Sequence, residues 1–285
     1  MTSHIRRTAP APTTAEVNGI TLSYEDSGTA GEPVVMIMGT GSPGRVWKAN
    51  QTPALIRAGY RVITFDNRGI APSSECAEGF TVDDMVADTA GLIEHLGLGR
   101  AHVIGTSLGA RVTQELALAR PDVVRSATML ATYGRSTPLV TAFGAGERAL
   151  HDQGITLPPE YAAAVTAHLN LSPHTLADDR SARDWLDIIK FSPQTTTPGV
   201  RAQMGVHERE INRLDAYRAI AVPTLVVGFA DDRTLPEFLA REVADAIPGA
   251  EYAVVEKAGH FGYLERPDEV NELLVAFLAK NRATA

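Results

Sequence analysis

Cysteine is almost missing. Cys76 stands alone in 285 residues, which excludes a disulfide framework and a multi-cysteine metal site within one chain. No uninterrupted apolar run reaches the roughly 18 residues that a membrane-crossing helix needs. Positive charge is outnumbered: 26 Lys and Arg against 34 Asp and Glu leave a formal net charge of −8. Nucleic acid and anionic membranes both select a basic face, so neither is expected as a partner. The eight histidines include no HExxH or comparable ligand spacing, and no metal site is expected. The opening MTSHIRRTAPAPTTAE carries two arginines but no apolar segment after them. No secretory signal is predicted there, and a cytoplasmic protein is expected. Its Pro, Ala and Thr content predicts a flexible tail over 1–15.

What the chain does have is a rhythm of short apolar runs. ITLSYED (Ile20–Asp26) alternates and follows Asn18-Gly19, a favoured hairpin-turn pair. VVMIM, RVITF, AHVIG, SATMLA, TLVVGF and YAVVE are continuous apolar runs, as expected of strands buried on both faces of a parallel sheet. Helical patterns separate them. In TVDDMVADTAGLIEHLG, Thr81 and Asp84 resemble a capping box. Apolar positions then recur every three or four residues, and Gly97 can end the helix. The alternation predicts an α/β fold. Between about Tyr133 and Ala219 no strong strand run occurs, while fragments such as PEYAAAVTAHL and DDRSARDWLDIIKF are helical in pattern. The spans 16–133 and 220–285 are therefore expected to form one core, with 134–219 a helical cap or lid inserted in it.

One strand-to-helix junction carries chemistry. HVIGTSLGARV contains GTSLG, a G-x-S-x-G pattern after a strand run and before a helical one. That context is the nucleophile elbow, in which a serine is held in a strained bend. The helix start behind Ser107 favours developing negative charge. A serine hydroxyl needs a base near neutral pH. His260 lies in KAGHFGYLERPDEV, a glycine-flanked loop after the last strand run, where catalytic groups of parallel sheets collect. His4 is in the tail, His95 at a helix end and His102 at a strand start. His151, His168, His174 and His207 fall in the insertion, where surface positions are expected. An acid to orient His260 is offered by VVGFADDRTLPEF, as Asp231 or Asp232. The residues alone leave that choice open.

The order Ser…Asp…His resembles the α/β-hydrolase superfamily, over about residues 15–280. MIMGTGSPGRVW is similar to the family's oxyanion segment, and FDNRGIAPSS to its D-x-R-G-x-G-x-S stretch. DDRTLP is similar to its D-x-x-x-P acid loop, and GHFGYLERPDEV to its histidine loop. The chain departs from the pattern at Met38, where many members have His, and at Ala71, which replaces a glycine. The resemblance implies an eight-stranded, mostly parallel sheet with helices on both faces. It implies Ser107 as nucleophile, His260 as base and the backbone amides of Leu108 and Thr40 as oxyanion hole. Counting D-x-x-x-P back from Pro236 gives Asp232 as the acid; counting on from Gly228 gives Asp231, and the proline count is preferred. Asp66 and Arg68 are expected to fix a loop. A serine hydrolase of esters or lactones, acting on a small-molecule substrate and needing no cofactor or metal, is the implied activity. Cofactor-free haloperoxidases, carbon–carbon hydrolases and non-catalytic receptors share the motifs. MGTGSPGRVW also looks like the segment of aclacinomycin-type polyketide methylesterases, which would imply a bulky ester. Oligomeric state is left open, a homo-oligomer included.

Overall fold

In a computed structural model, residues 12–192, 197–206 and 211–283 are described. Eight strands form one sheet: β1 (Thr13–Val17), β2 (Ile20–Asp26), β3 (Pro33–Ile37), β4 (Arg61–Phe65), β5 (Ala101–Thr106), β6 (Val124–Leu130), β7 (Thr224–Phe229) and β8 (Glu251–Val255). Their spatial order is β1-β2-β4-β3-β5-β6-β7-β8. β2 runs antiparallel to both β1 and β4, and all pairs from β4 to β8 are parallel. This is the mostly parallel eight-stranded sheet that the resemblance implied.

The two faces of the sheet bury alternate residues, because strand side chains have a period of two. Along β3, Val34 and Met36 join a core with Trp47, Leu55, Leu274 and Phe277. Val35 and Ile37 join the opposite core with Leu92, Leu116 and Val243. Leu92, Leu116 and Val243 are fully buried, each contributing about 1.5–3 kcal/mol relative to exposure. The helix Val82–His95 starts as its sequence predicts: Asp84 N donates to Thr81 Oγ1 at 3.2 Å and Thr81 N to Asp84 Oδ2 at 2.8 Å. Among the described residues no helix is long and apolar enough to cross a membrane.

The expected tail over 1–15 is corrected at its end, residues 1–11 lying outside the described residues. Thr13–Val17 is an edge strand paired with β2, Val17 opposite Ile20. Asn18 and Gly19 hold φ of 47° and 75°, the left-handed pair of a two-residue hairpin turn. Ala15 and Val17 are buried, and Val17 lies directly on Gly91, where an added Cβ would sit 3.1 Å from it. The turn dictates the register, and the register turns the two apolar residues of a polar stretch inward.

Arg68 and Asp88 form a buried two-pronged pair, both bonds 2.6 Å long, between the loop after β4 and the helix Val82–His95. Asp66 accepts from Gly44 N at 2.8 Å. Both residues hold loops, as the sequence led us to expect. Between β6 and β7 the chain carries helices Pro138–Asp152, Pro159–Asn170, Pro173–Leu176, Asp179–Phe191 and Pro198–Gly205. Its entry and exit are stitched together, Arg213 N donating to Gly134 O at 2.8 Å and Ser136 N to Ile211 O at 2.9 Å.

His102 illustrates how burial in this sheet couples to pH. It is fully buried on β5, its Nδ1 2.7 Å from Ser126 Oγ. Burial pushes its pKa down from 6.5 to about 4, although Glu32 opposes the shift. The unfolded chain therefore binds this proton more readily than the folded one. The histidine's contribution is complete above pH 6.5 and is lost as pH falls towards 4. The linked stability is on the order of 3 kcal/mol. Between these limits the unfolding temperature should drop more steeply with falling pH in the wild type than in His102→Gln. Equal slopes would refute the linkage.

Candidate active site

β3 is flanked by β4 on one side and β5 on the other. The connection from β3 leads to β4 and that from β5 to β6, in opposite directions, and the crevice at the carboxyl ends of β3 and β5 is where parallel sheets place ligands. Ser107 stands at the end of β5. A single residue joins that strand to the helix Leu108–Ala119, and its backbone takes φ 54° and ψ −119°. Such a conformation costs about 1–3 kcal/mol for a residue with a side chain. Close packing requires both glycines of GTSLG. A Cβ on Gly105 would lie 2.1 Å from Gly109 O, and one on Gly109 would lie 2.2 Å from Ile37 O. Ser107 N donates to Leu130 O at 3.0 Å and ties the bend to β6.

The segment after β3 runs up against this bend. A Cβ on Gly39 would be 3.1 Å from Ser107 Cβ, and Thr40 and Ser107 line one cavity. Leu108 is buried as the first residue of its helix, where backbone N–H groups have no acceptor within the helix and can receive negative charge. Two side chains steady the segment. Asn67 Nδ2 donates to Met38 O at 3.0 Å. Gln203, fully buried, accepts from Gly41 N and donates to Arg68 O, both at 2.8 Å. The sequence reading missed both. Asn67 sat inside FDNRG, a stretch with its own signal, whereas a lone glutamine in a helix carries none.

His260 and Asp232 meet directly. Nδ1 of His260 lies 2.7 Å from Asp232 Oδ2, and the carboxylate side chain is wholly shielded from solvent. The second carboxylate oxygen accepts from Thr234 N at 2.9 Å and Leu235 N at 2.7 Å. These two bonds fix its orientation. With Nδ1 engaged, Nε2 is the ring nitrogen left to serve a reacting hydroxyl. Asp231 turns elsewhere and accepts from Ser172 Oγ at 2.5 Å. The histidine loop is braced from two sides. Glu265 accepts from Gly259 N at 2.7 Å and from Ser172 N at 2.9 Å, and Phe261 N donates to Asn170 O at 3.0 Å. Helices between β6 and β7 thereby contact the loop that carries His260.

Ser107, Thr40 and His260 open onto a cavity of about 1170 Å³. Its walls are largely apolar, with Val140, Phe143, Leu150, Leu157, Val165 and Met204 among them. Of the insertion histidines, His151 borders this space, whereas His168 and His174 do not. His4 and His207 lie outside the described residues. Cys76 is half-buried away from the cavity, and burial pushes its thiol up. Among the described residues no group of three or more His, Cys, Asp or Glu side chains could hold a metal ion.

A model of the Alpha/beta hydrolase family matches residues 34–273. A Mycobacterium tuberculosis protein named as a candidate non-heme bromoperoxidase, BpoC, is 48% identical over 264 residues, covering 93% of this chain and 100% of that one. The solved structure of Rv0554 from Mycobacterium tuberculosis is similar with a TM-score of 0.89 at 47% identity, over 93% of this chain and 95% of that one. A malate-bound thermophilic esterase from Thermogutta terrifontis is similar with a TM-score of 0.82 at 25% identity, over 96% and 100%.

Proposed function

The chain belongs to the alpha/beta hydrolase family, and from that premise we propose that it is a serine hydrolase cleaving a carboxylic ester or lactone of a small to medium, largely apolar substrate. The observation that carries this reading is the 2.7 Å pair of His260 and Asp232 beside the cavity onto which the strained Ser107 opens.

In this reading Ser107 Oγ attacks the acyl carbonyl while His260 Nε2 takes its proton. Asp232 holds the imidazole in the tautomer with Nδ1 protonated and stabilises the imidazolium that forms. The amides of Leu108 and Thr40 receive the oxyanion, each donor contributing about 3–4 kcal/mol in comparable sites. His260 then passes the proton to the leaving alkoxide, and the acyl group remains on Ser107. Water, activated by the same histidine, releases the acid. For a lactone the leaving alcohol stays tethered to the acyl group. The largely apolar walls suit a substrate whose bulk is hydrocarbon.

A second reading has support in the name of the 48% identical relative. If hydrogen peroxide replaces water, the acyl group leaves as a peracid. That peracid oxidises bromide to hypobromous acid and returns to the carboxylic acid. Both readings share every step up to the acyl-enzyme. The experiment that tests the proposal compares hydrolysis of p-nitrophenyl and lactone substrates with bromination of monochlorodimedone in acetate, bromide and peroxide. Ester or lactone turnover well above the bromination rate is expected. Bromination as the faster reaction favours the peracid route, and no acyl transfer by either assay overturns the serine-hydrolase reading.

A further inference from the structure

Among the described residues that line the cavity there is no lysine or arginine, and only one carboxylate, Glu147. It stands on the helix Pro138–Asp152, on the wall shared with Val140, Phe143 and Leu150. The other titratable groups around the space are His151, His260, Tyr133 and Tyr263. His151 has a neighbour of its own, Asp152 Oδ1, 3.3 Å from its Nδ1. Arg148, next in the chain, reaches Met204 O at 3.4 Å. Glu147 makes no hydrogen bond or ion pair among the described residues, and a Cβ placed on neighbouring Gly146 would meet nothing within 4 Å. Glu147 is thus a solvent-accessible carboxylate on the cavity lining.

A carboxylate on an apolar wall is held there at an electrostatic cost. Desolvation by the surrounding protein raises the Glu147 pKa, and the neighbouring Arg148 and His260 oppose the rise only in part. A cation delivered by a ligand would remove that cost, whereas a second anion would add to it.

We propose that Glu147 recognises a cationic group on the substrate, so that the cavity selects an ester or lactone that carries an aliphatic ammonium on an otherwise apolar body. The inference rests on the reading of Ser107 as the nucleophile, because the acyl group must reach Ser107 while the cation reaches Glu147. Glu147 is exposed where it lines the cavity, and with no other carboxylate, lysine or arginine among the described lining residues it is the group a ligand's positive charge would meet. Substrates that end in a carboxylate are correspondingly disfavoured.

Two isosteric esters test it: p-nitrophenyl 6-(trimethylammonio)hexanoate and p-nitrophenyl 7,7-dimethyloctanoate, which differ only by nitrogen against carbon at the branched end. The ratio of their kcat/KM values, cationic over neutral, should fall about tenfold from the wild type to Glu147→Gln. Glu147→Asp, which keeps the charge, should restore part of the ratio. A ratio unchanged in Glu147→Gln overturns the proposal. Binding separates this failure from a failure of the nucleophile assignment. Hexyltrimethylammonium should bind Ser107→Ala protein about tenfold more tightly than the Ser107→Ala, Glu147→Gln double variant. If neither ester turns over while that difference persists, the cation site stands and the serine-hydrolase reading falls. Equal binding by the two proteins overturns the cation site whatever the turnover.

Discussion

Replacing Ser107 with Ala is expected to lower ester or lactone turnover by roughly 10⁵–10⁶-fold, the largest loss available from one side chain here. In the proposed mechanism the step removed is attack by Oγ; the proposed oxyanion donors and the cavity remain, so a small rate above that of water should survive. Alanine keeps a Cβ and must occupy the same backbone angles, φ 54° and ψ −119°. The strain is therefore unchanged, and thermal stability should shift little. A fluorophosphonate probe should label the wild type on the peptide that contains Ser107 and leave Ser107→Ala unlabelled. Equal labelling of the two proteins would show that the nucleophile is another residue.

The second large effect separates two neighbours with identical chemistry. Asp232→Asn should cost about 10⁴-fold in kcat, because an amide beside Nδ1 favours the wrong imidazole tautomer. Its remaining oxygen can still accept from Thr234 N and Leu235 N, so the loop should keep its shape. Asp231→Asn should cost less than about tenfold, since an amide oxygen can still accept from Ser172 Oγ. Matched kcat measurements on the two variants decide the matter. A larger loss in Asp231→Asn would move the acid by one residue and require the loop to rearrange in solution.

Several pieces of the site could be read before any coordinate. Ser107 was legible because a nucleophile elbow is a local object: a strand run, two glycines and a helical pattern within eleven residues. His260 was legible from its glycine-flanked loop and its place after the last strand. The residues alone offered the acid only as a pair, and the D-x-x-x-P resemblance favoured Asp232. Asp231 and Asp232 share composition, loop and neighbours, and what separates them is the turn through Thr234 and Leu235 that captures one oxygen of Asp232.

Other features were present in the sequence but carried weak signals. Thr13–Val17 has only two apolar residues, and its strand state follows from pairing across the Asn18-Gly19 turn rather than from its own composition. Three of the helices between β6 and β7 open at Thr137-Pro138, Ser172-Pro173 and Thr197-Pro198. In each, the Ser or Thr side chain accepts a backbone N–H of the first turn. A hydroxyl residue before proline is a helix start with a mechanism, a signal that the reading by apolar period did not use.

By itself the sequence determined the strand–helix alternation, the bend at Ser107 and the order in which serine, acid and histidine arrive. Each depends on residues a few positions apart, through backbone angles, caps and apolar period. Only the tertiary structure decided that Asp232 faces His260 and that Gln203 braces a segment 162 positions away. The tertiary structure alone also brought Glu265 between the histidine loop and Ser172, and set Glu147 on the cavity wall. Those outcomes depend on where distant loops land once two cores have packed against a twisted sheet. A side chain's partner is set by that packing, and no local pattern encodes it.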